Sequence, residues 1–184
     1  GTGSRLAIGA KLSRADLLHI ALMSSENRAA SALGRSYPGG LSAFVAAMNI
    51  KAKQLGMNDT YYVDSSGLSS KNVASARDLV KLINAAYQYP LIREYSTDTK
   101  YVVNPKGKRL LEYGTTNHLV DKSDWNIGLQ KTGYIAEAGR CLVMQAIIEG
   151  RAVVMVFLDS KGKYSRMADA SRVKKLIQGM RPQG

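Results

Sequence analysis

The sequence predicts an α+β fold, in which a helical lobe packs against an antiparallel sheet and a C-terminal helix closes that sheet. Three observations indicate this class. Apolar residues recur at helical spacing through most of the first ninety positions, three strand-like runs follow between residues 125 and 158, and the chain ends in one more helical pattern. At 184 residues, the chain fits one domain with a sizeable core, which we assign to residues 1–184.

The first ninety residues contain four helical patterns with start or stop signals. Ser13 and Ser75 each precede an acidic residue by three positions, the spacing of an N-cap and its capping partner. Gly56 is a natural helix stop, and Pro90 bounds the fourth pattern. The predicted helices cover residues 13–23, 28–33, 41–55 and 75–89.

Extended segments dominate the second half of the chain. Residues 60–63 predict a brief strand, and residues 101–103 and 109–113 predict a hairpin around a Pro-Lys-Gly-Lys turn. The main sheet is predicted from three apolar runs, Trp125–Tyr134, Cys141–Ile148 and Ala152–Leu158. The last helix is expected at 165–179, and the residues expected on its inward face are Met167, Ala168, Ala170, Val173, Leu176 and Ile177.

Charge is the unusual part of the composition. Lysine and arginine number 26 against 14 acidic residues, which gives a net charge of +12. This balance favours polyanionic surroundings such as nucleic acid, an anionic membrane surface or an acidic cell-wall polymer. The basic residues are scattered, however, and the chain shows neither zinc-finger spacing nor an aromatic RNA-binding signature, so nucleic acid is not expected as a partner.

Cysteine and histidine indicate no metal or cofactor site. The single cysteine, Cys141, cannot form an internal disulfide and is expected to be a buried, inert thiol. His19 lies in an apolar helix and His118 in a loop, and neither has a second ligand nearby in the sequence. We therefore expect structural or solvent roles for both, and neither a metal nor a cofactor.

Two short motifs carry the chemistry. Lys131-Thr132-Gly133 ends an apolar run at a predicted sheet edge, where the ammonium can attract an anion and the hydroxyl can donate to a carboxylate. The absent side chain of its glycine leaves room for a substrate backbone. Ser25-Glu26-Asn27 lies between two helices, where the serine can relay a proton and the asparagine can hold a carbonyl. A cleft between the helical lobe and the sheet is the expected place for both motifs.

These motifs and the residues around them resemble the low-molecular-mass penicillin-binding proteins, most closely the D-alanyl-D-alanine endopeptidase branch of that serine DD-peptidase group. The three motifs of such enzymes are Ser-x-x-Lys, Ser-x-Asn and Lys-Thr-Gly. The resemblance implies a serine β-lactamase/DD-peptidase-like fold. The stretches that carry it cover residues 18–31, 56–57, 67–69, 76–79, 125–134, 159–160 and 169–172.

The resemblance also implies an activity and roles for residues. In that family, a serine attacks a D-alanyl peptide bond and forms an acyl-enzyme, which water or an amine then releases. Carried over by position, the implied catalytic residues are Ser25, Asn27 and Lys131. The implied substrate-binding residues are Thr132, Gly133 and Asn117, the last on the rim of the cleft. Peptidoglycan peptides and β-lactam antibiotics are the implied partners, and the periplasm or cell envelope is the implied location.

The chain departs from the family in one respect. No Ser-x-x-Lys precedes Ser25, and the two that follow, at 160–163 and 171–174, fall where the family has no catalytic residue. We therefore expect a transpeptidase-like domain that lacks its N-terminal part, with the missing fragment as a separate chain or outside this sequence. The strands expected beside Ala152–Leu158 would be missing with it, and this chain alone is expected to be inactive.

Two other functions remain open. A class A β-lactamase would share these motifs but needs a deacylating carboxylate on a loop between them, and no segment matches that loop. A non-catalytic module could bind wall peptide or a partner protein through the same cleft. The motifs alone do not separate endopeptidase from carboxypeptidase activity, because both reactions present a carboxylate beside a D-configured residue.

Overall fold

The computed structural model of the protein describes residues 3–180. In order along the chain, its elements are α1 (Arg14–Ser24), α2 (Asn27–Arg35), α3 (Gly40–Gln54), α4 (Ala76–Ala86), α5 (Pro90–Thr97), β1 (Lys100–Val103), β2 (Leu111–Gly114), a 3₁₀ turn (His118–Asp121), β3 (Asn126–Ile135), β4 (Gly139–Ile148), β5 (Arg151–Ser160) and α6 (Ser165–Gln178). Helices thus precede an antiparallel sheet that a last helix covers, which confirms the predicted fold class.

The main sheet has three antiparallel strands in the order β3-β4-β5. Glu149 and Gly150 join β4 to β5, and both have positive φ angles, 51° and 74°, as a tight hairpin turn requires. The buried face of the sheet packs against α6. The fully or largely buried residues of this core are Leu119, Trp125, Leu142, Met144, Ala146, Ile148, Met155 and Ala170. Within residues 3–180, β3 is an outer strand, so one of its edges faces away from β4.

α1 is the central helix of the other lobe. Ser13 caps it, since its Oγ accepts from the Asp16 N–H at 3.1 Å, as predicted. Ile20 and Met23 have no exposed surface and pack against α2 and the β1–β2 hairpin. The helix therefore has a fixed position in the core, and its C-terminal end is held against the sheet.

His19 contributes to packing of this lobe. Its ring is stacked between Tyr95 and Tyr101, with centroid distances of 4.2 and 3.7 Å. Its Nε2 lies 2.9 Å from an Asp98 carboxylate oxygen. The ring joins α1 to α5 and β1, a structural role of the kind predicted.

The structure adds to or differs from three local predictions. α4 ends before Pro90, as predicted, but Pro90 also opens α5, because a proline at the first helical position has no N–H to leave unpaired. Residues 60–63 form a single bridge, between Tyr61 and Val73, rather than a strand. Leu176 is 69% exposed and so lies on the outer face of α6.

Candidate active site

The C-terminal end of α1 presents Ser25 to the sheet. Ser25 has left-handed backbone angles, φ 53° and ψ 40°, which are uncommon for a residue with a side chain. The turn directs its Oγ towards β3, where it donates to the Thr132 carbonyl oxygen at 3.3 Å. The Lys131 ammonium in turn donates to this Oγ. The two motifs, which lie 106 residues apart, therefore meet through a hydrogen bond.

Glu26, the middle residue of the first motif, is a structural anchor. It is 5% exposed, and its carboxylate accepts hydrogen bonds from the Tyr113 hydroxyl at 3.0 Å and from the Arg28 N–H at 3.1 Å. It thereby caps α2 and attaches the motif to β2. The serine on one side and the asparagine on the other are held in place as a result.

Asn27, the first residue of α2, lines the cleft together with Ser25 and Lys131. The cleft has two adjoining parts, of roughly 240 and 470 Å³. The smaller part lies over the helices and has polar as well as apolar side chains in its lining, although most of its surface is apolar, whereas the larger part runs along β3. All three predicted catalytic residues line both parts.

The surroundings of Lys131 lower the pKa of its ammonium group. Burial, followed by the positive charge of Arg166, lowers the pKa of Lys131 to about 8 from its ordinary value of 10.5. Besides the bond to Ser25, its Nζ donates to the Thr132 carbonyl oxygen at 2.6 Å. A lysine with such a pKa can be charged for binding an anion and can also exchange a proton near neutral pH.

Thr132 and Gly133 continue β3 beyond the lysine. The Thr132 hydroxyl is 2.6 Å from that of Thr116, and either group can donate. A Cβ added to Gly133 would meet only the Cβ of Cys141, at an ordinary 3.9 Å, so packing does not require glycine there. The space beside Gly133 belongs to the larger part of the cleft. The strand continues to Ile135, one residue past the predicted run.

Asn117 does not lie on the cleft rim, contrary to prediction. It is fully buried, and its Oδ1 accepts from the Leu119 N–H at 3.0 Å, which caps the 3₁₀ turn. Thr116, the preceding residue, lines the cleft instead. Cys141 also differs from its prediction, since it is only partly buried.

Several cleft residues were not predicted from the sequence. Arg166, near the start of α6, donates weakly to the carbonyl oxygens of Gly133 and Cys141 at 3.4 and 3.5 Å and lines the larger part. Burial, and then the charge of Arg140, lowers the pKa of Arg166. The loop residues Ser66, Gly67 and Leu68 line the same space. Gly67 and Leu68 lie in a stretch that carried the family resemblance, so the sequence could have indicated that they belong to the cleft. No feature of the sequence indicated this for Arg166.

Neither Ser-x-x-Lys of this chain belongs to the cleft. The described residues that line the cleft include none of Ser160, Lys163, Ser171 and Lys174. Lys174 is 9% exposed, donates to the Asp124 carbonyl oxygen, and has its ammonium 4.7 Å from the ring centre of Trp125. It has a structural role in attaching α6 to the start of β3.

Residues 3–180 contain neither a cluster of metal-ligating side chains nor a membrane-spanning helix. No group of three or more His, Cys, Asp or Glu residues in this part of the chain is placed to hold a metal ion. No helix in it is both long and apolar enough to cross a membrane.

The chain is similar in sequence to known D-alanyl-D-alanine endopeptidases. One from Escherichia coli is 50% identical over 181 residues, which cover 97% of this chain and 58% of that protein. Another, from Pseudomonas aeruginosa, is 49% identical over 179 residues, with the same two coverages. The chain therefore spans somewhat under two thirds of the length of these relatives.

Solved structures show the same similarity in three dimensions. The DD-transpeptidase of Streptomyces K15 superposes with a TM-score of 0.85 at 26% identity, over 93% of this chain and 70% of that one. Penicillin-binding protein D2 of Listeria monocytogenes, solved with cefotaxime bound, superposes with a TM-score of 0.81 at 29% identity, over 94% and 70%. The D-alanyl-D-alanine carboxypeptidase family matches residues 3–162. With the Ser25–Lys131 cleft in place, these matches show that the chain belongs to the D-alanyl-D-alanine carboxypeptidase family.

Proposed function

We propose that this chain supplies the substrate-binding cleft of a serine DD-peptidase that cuts D-alanyl cross-links of peptidoglycan in the cell envelope. The observation that carries the proposal is the hydrogen bond from the half-buried Lys131 ammonium to Ser25, beside Thr132 and Arg166. The bond connects a proton-transfer pair to a group of anion-binding side chains. A substrate carboxylate bound there would place the neighbouring peptide bond next to Ser25.

The outer edge of β3 supports an extended peptide as substrate. Because β3 pairs only with β4 among residues 3–180, its other edge can take main-chain hydrogen bonds from a peptide. Gly133 adds no side chain to the larger part of the cleft, and Thr132 and Arg166 can donate to the terminal or side-chain carboxylate. The names of the Escherichia coli and Pseudomonas aeruginosa relatives favour D-alanyl cross-links as that substrate.

The nucleophile is proposed to come from a Ser-x-x-Lys segment outside these 184 residues. The smaller, mainly apolar part of the cleft would receive that segment beside Ser25. We call the chain together with this segment the active form. In it, the serine oxygen would attack the D-alanyl carbonyl carbon while its proton passes through Ser25 and Lys131 to the departing amine nitrogen. The C–N bond breaks, and water then hydrolyses the ester to release the acyl group as a carboxylate.

β-Lactam binding follows from the same geometry, since these compounds also present a carboxylate beside a reactive carbonyl. The Listeria structure, which contains cefotaxime, supports this step. Rapid hydrolysis of the adduct is not expected. Among the described residues that line the cleft, Glu26 supplies the only carboxylate, and its hydrogen bonds to Tyr113 and Arg28 commit it to structure.

Labelling with a fluorescent penicillin, followed by intact-mass measurement, tests the proposal. We expect one stable adduct on the active form, a much slower reaction after Lys131→Ala, and no adduct on the 184-residue chain alone. Peptide mapping of an adduct to Ser25, Ser160 or Ser171 would contradict the assignment of the nucleophile. Rapid loss of the label would favour a β-lactamase, and tight binding of wall peptide without acylation would favour a binding module.

A further inference from the structure

The loop at residues 64–69 forms the wall of the cleft that faces β3. Ser66, Gly67 and Leu68 line the larger part of the cleft, and Ser66 also lines the smaller part. The side chain of Leu68 is 42% exposed. The loop has no helix or strand of its own, so something other than regular secondary structure must fix its shape.

Asp64 fixes that shape from inside the loop. One carboxylate oxygen accepts from the N–H groups of Ser66 at 2.8 Å and Gly67 at 2.6 Å. The other accepts from the Ser69 N–H at 2.9 Å and from the Asn72 side-chain amide at 3.0 Å. The Ser66 hydroxyl also donates to the first oxygen, at 3.2 Å. Five donors thus converge on one side chain, and three of them belong to the backbone of the wall itself.

The hydrogen bonds that Asp64 accepts favour its ionised form. Burial alone would raise the pKa of Asp64, but the hydrogen bonds from Gly67, Asn72, Ser69 and Ser66 outweigh it and hold the pKa below its ordinary value. The carboxylate is therefore ionised throughout the neutral range. Hydrogen bonds to an ionised acceptor are roughly twice as strong as those between neutral groups.

The loop is also attached to the helical lobe. Asn72 accepts from the Val63 N–H at 2.7 Å, which joins the two ends of the loop. The Ser65 hydroxyl donates to the Ala30 carbonyl oxygen of α2 at 3.1 Å. A Cβ added to Gly34 would lie 2.5 Å from the Ser65 Oγ, so glycine is needed there for the loop to approach α2. The wall is therefore held at a set distance from Ser25 and Asn27.

We propose that Asp64 is a positioning residue that holds Ser66 and Leu68 as a recognition wall for the peptide chain lying along β3. An extended peptide at the β3 edge would have one side facing Thr132 and Gly133 and the other facing this loop. The Ser66 hydroxyl donates to Asp64 and accepts from the Leu68 N–H, so its second lone pair can accept from a peptide N–H, and Leu68 can cover apolar side chains of the peptide. This inference rests on the proposed function, because it names the part of the substrate that the second wall recognises.

The test compares Asp64→Asn with a matched control in the active form. The substitution keeps the shape of the side chain but replaces one acceptor oxygen with a donor, which faces the Ser69 N–H and the Asn72 amide. We expect KM for a cross-linked peptide dimer to rise about tenfold with a smaller change in kcat, the scale of one lost charged hydrogen bond. Asp169→Asn removes a carboxylate from the exposed Asp169–Arg172 pair and should leave both constants unchanged.

Two further variants separate positioning from general stability. If Asp64→Asn alone fails to fold by circular dichroism, Ser66→Ala and Leu68→Ala test the wall directly. Each should raise KM for the dimer while the rate of acylation by a small penicillin stays near that of the wild type.

The outcomes distinguish this inference from the proposed function. A wild-type active form that neither acylates nor cleaves would overturn both. Normal acylation and cleavage, with KM unaltered in Asp64→Asn and in the two wall variants, would reject the role of Asp64 and leave the proposed function standing. An equal fall in kcat for the dimer and in penicillin acylation would show only general damage to the fold, and would also reject it.

Discussion

At the scale of single residues, Lys131 is a half-buried cation whose hydrogen-bond acceptors are neutral. Its ammonium donates to two oxygen atoms, Ser25 Oγ and the Thr132 carbonyl. No carboxylate is paired with it among the described residues. Burial and the nearby Arg166 therefore lower its pKa to about 8, and the charge that attracts a substrate anion is close to its titration point.

This position of the pKa predicts a loss of anion binding at alkaline pH. As pH rises through about 8, Lys131 loses its proton, so the affinity for a peptide carboxylate should fall. Lys131→Arg should remove that decline, since arginine stays charged. Titration of the 184-residue chain with an N-acylated D-alanyl-D-alanine peptide between about pH 6 and 10 measures it. A decline that persists in Lys131→Arg would assign the titration to another group.

The same pKa has a consequence for stability. Between about pH 8 and the ordinary value of 10.5, the folded chain binds fewer protons at Lys131 than the unfolded chain does. The burial of this lysine therefore costs stability below pH 8, and the cost disappears as pH rises through that window. Lys131→Met should flatten this part of the stability profile measured by urea unfolding.

The Lys-Thr pair should show unequal losses when each residue is truncated in the active form. Lys131→Ala removes a full charge and the donor to Ser25, whereas Thr132→Ala removes one hydrogen bond to a charged group, worth about 1.5–3 kcal/mol. Penicillin acylation should therefore fall further in Lys131→Ala. A larger loss in Thr132→Ala would show that the hydroxyl, rather than the ammonium, is the principal anion-binding group.

Residues of the cleft differ in how far the sequence alone could predict them. Ser25, Asn27, Lys131, Thr132 and Gly133 belong to two short motifs, and the family resemblance of those motifs predicted that they meet in one cleft. Arg166 comes from a helix after the last strand, and only the packing of α6 on the sheet brings it to Gly133. Asn117 was placed on the rim by analogy alone, whereas a local hydrogen bond turns its side chain into the core.

At the scale of elements, predictions succeeded where one physical signal dominated. Apolar runs and flanking turns predicted β3, β4 and β5, and capping residues predicted the starts of α1 and α4. α5 was missed because a proline ends one helix and begins the next with equal ease, so its effect depends on the residues after it. Whether Leu176 points inward depended on how α6 is rotated against the sheet, which periodicity does not fix.

The attachment of α6 to the sheet gives a prediction at this scale. Lys174→Ala should lower the free energy of unfolding by roughly 1–3 kcal/mol, because it removes the bond to the Asp124 carbonyl and the packing on Trp125. Lys175→Ala, at the next and exposed position, should change it by about 0.5 kcal/mol or less. Urea denaturation followed by circular dichroism compares the two. Equal effects would mean that Lys174 contributes nothing specific to the docking of α6.

At the scale of the whole molecule, charge and cleft act together. The net charge of +12 attracts a polyanion over a distance, whereas in the proposed function Lys131, Thr132 and Arg166 would bind a carboxylate only on contact. The net charge changes the encounter rate and its salt dependence more than it changes the final affinity. Raised salt should therefore slow the reaction with polymeric wall more than the reaction with a small peptide.

The shape of the cleft predicts that the substrate is a cross-linked peptide dimer. Cleavage of a cross-link needs room beyond the residue that leaves, because the second peptide continues there. The larger part of the cleft is open along β3 from Lys131 to Tyr134 and is bounded opposite by Leu68, so it offers a path for two peptides. Digestion of purified cross-linked sacculi by the active form should therefore convert peptide dimers to monomers, as fragment analysis by mass spectrometry would show. The active form that carries Lys131→Ala is the control. Loss of terminal D-alanine with the dimers intact would instead assign carboxypeptidase activity.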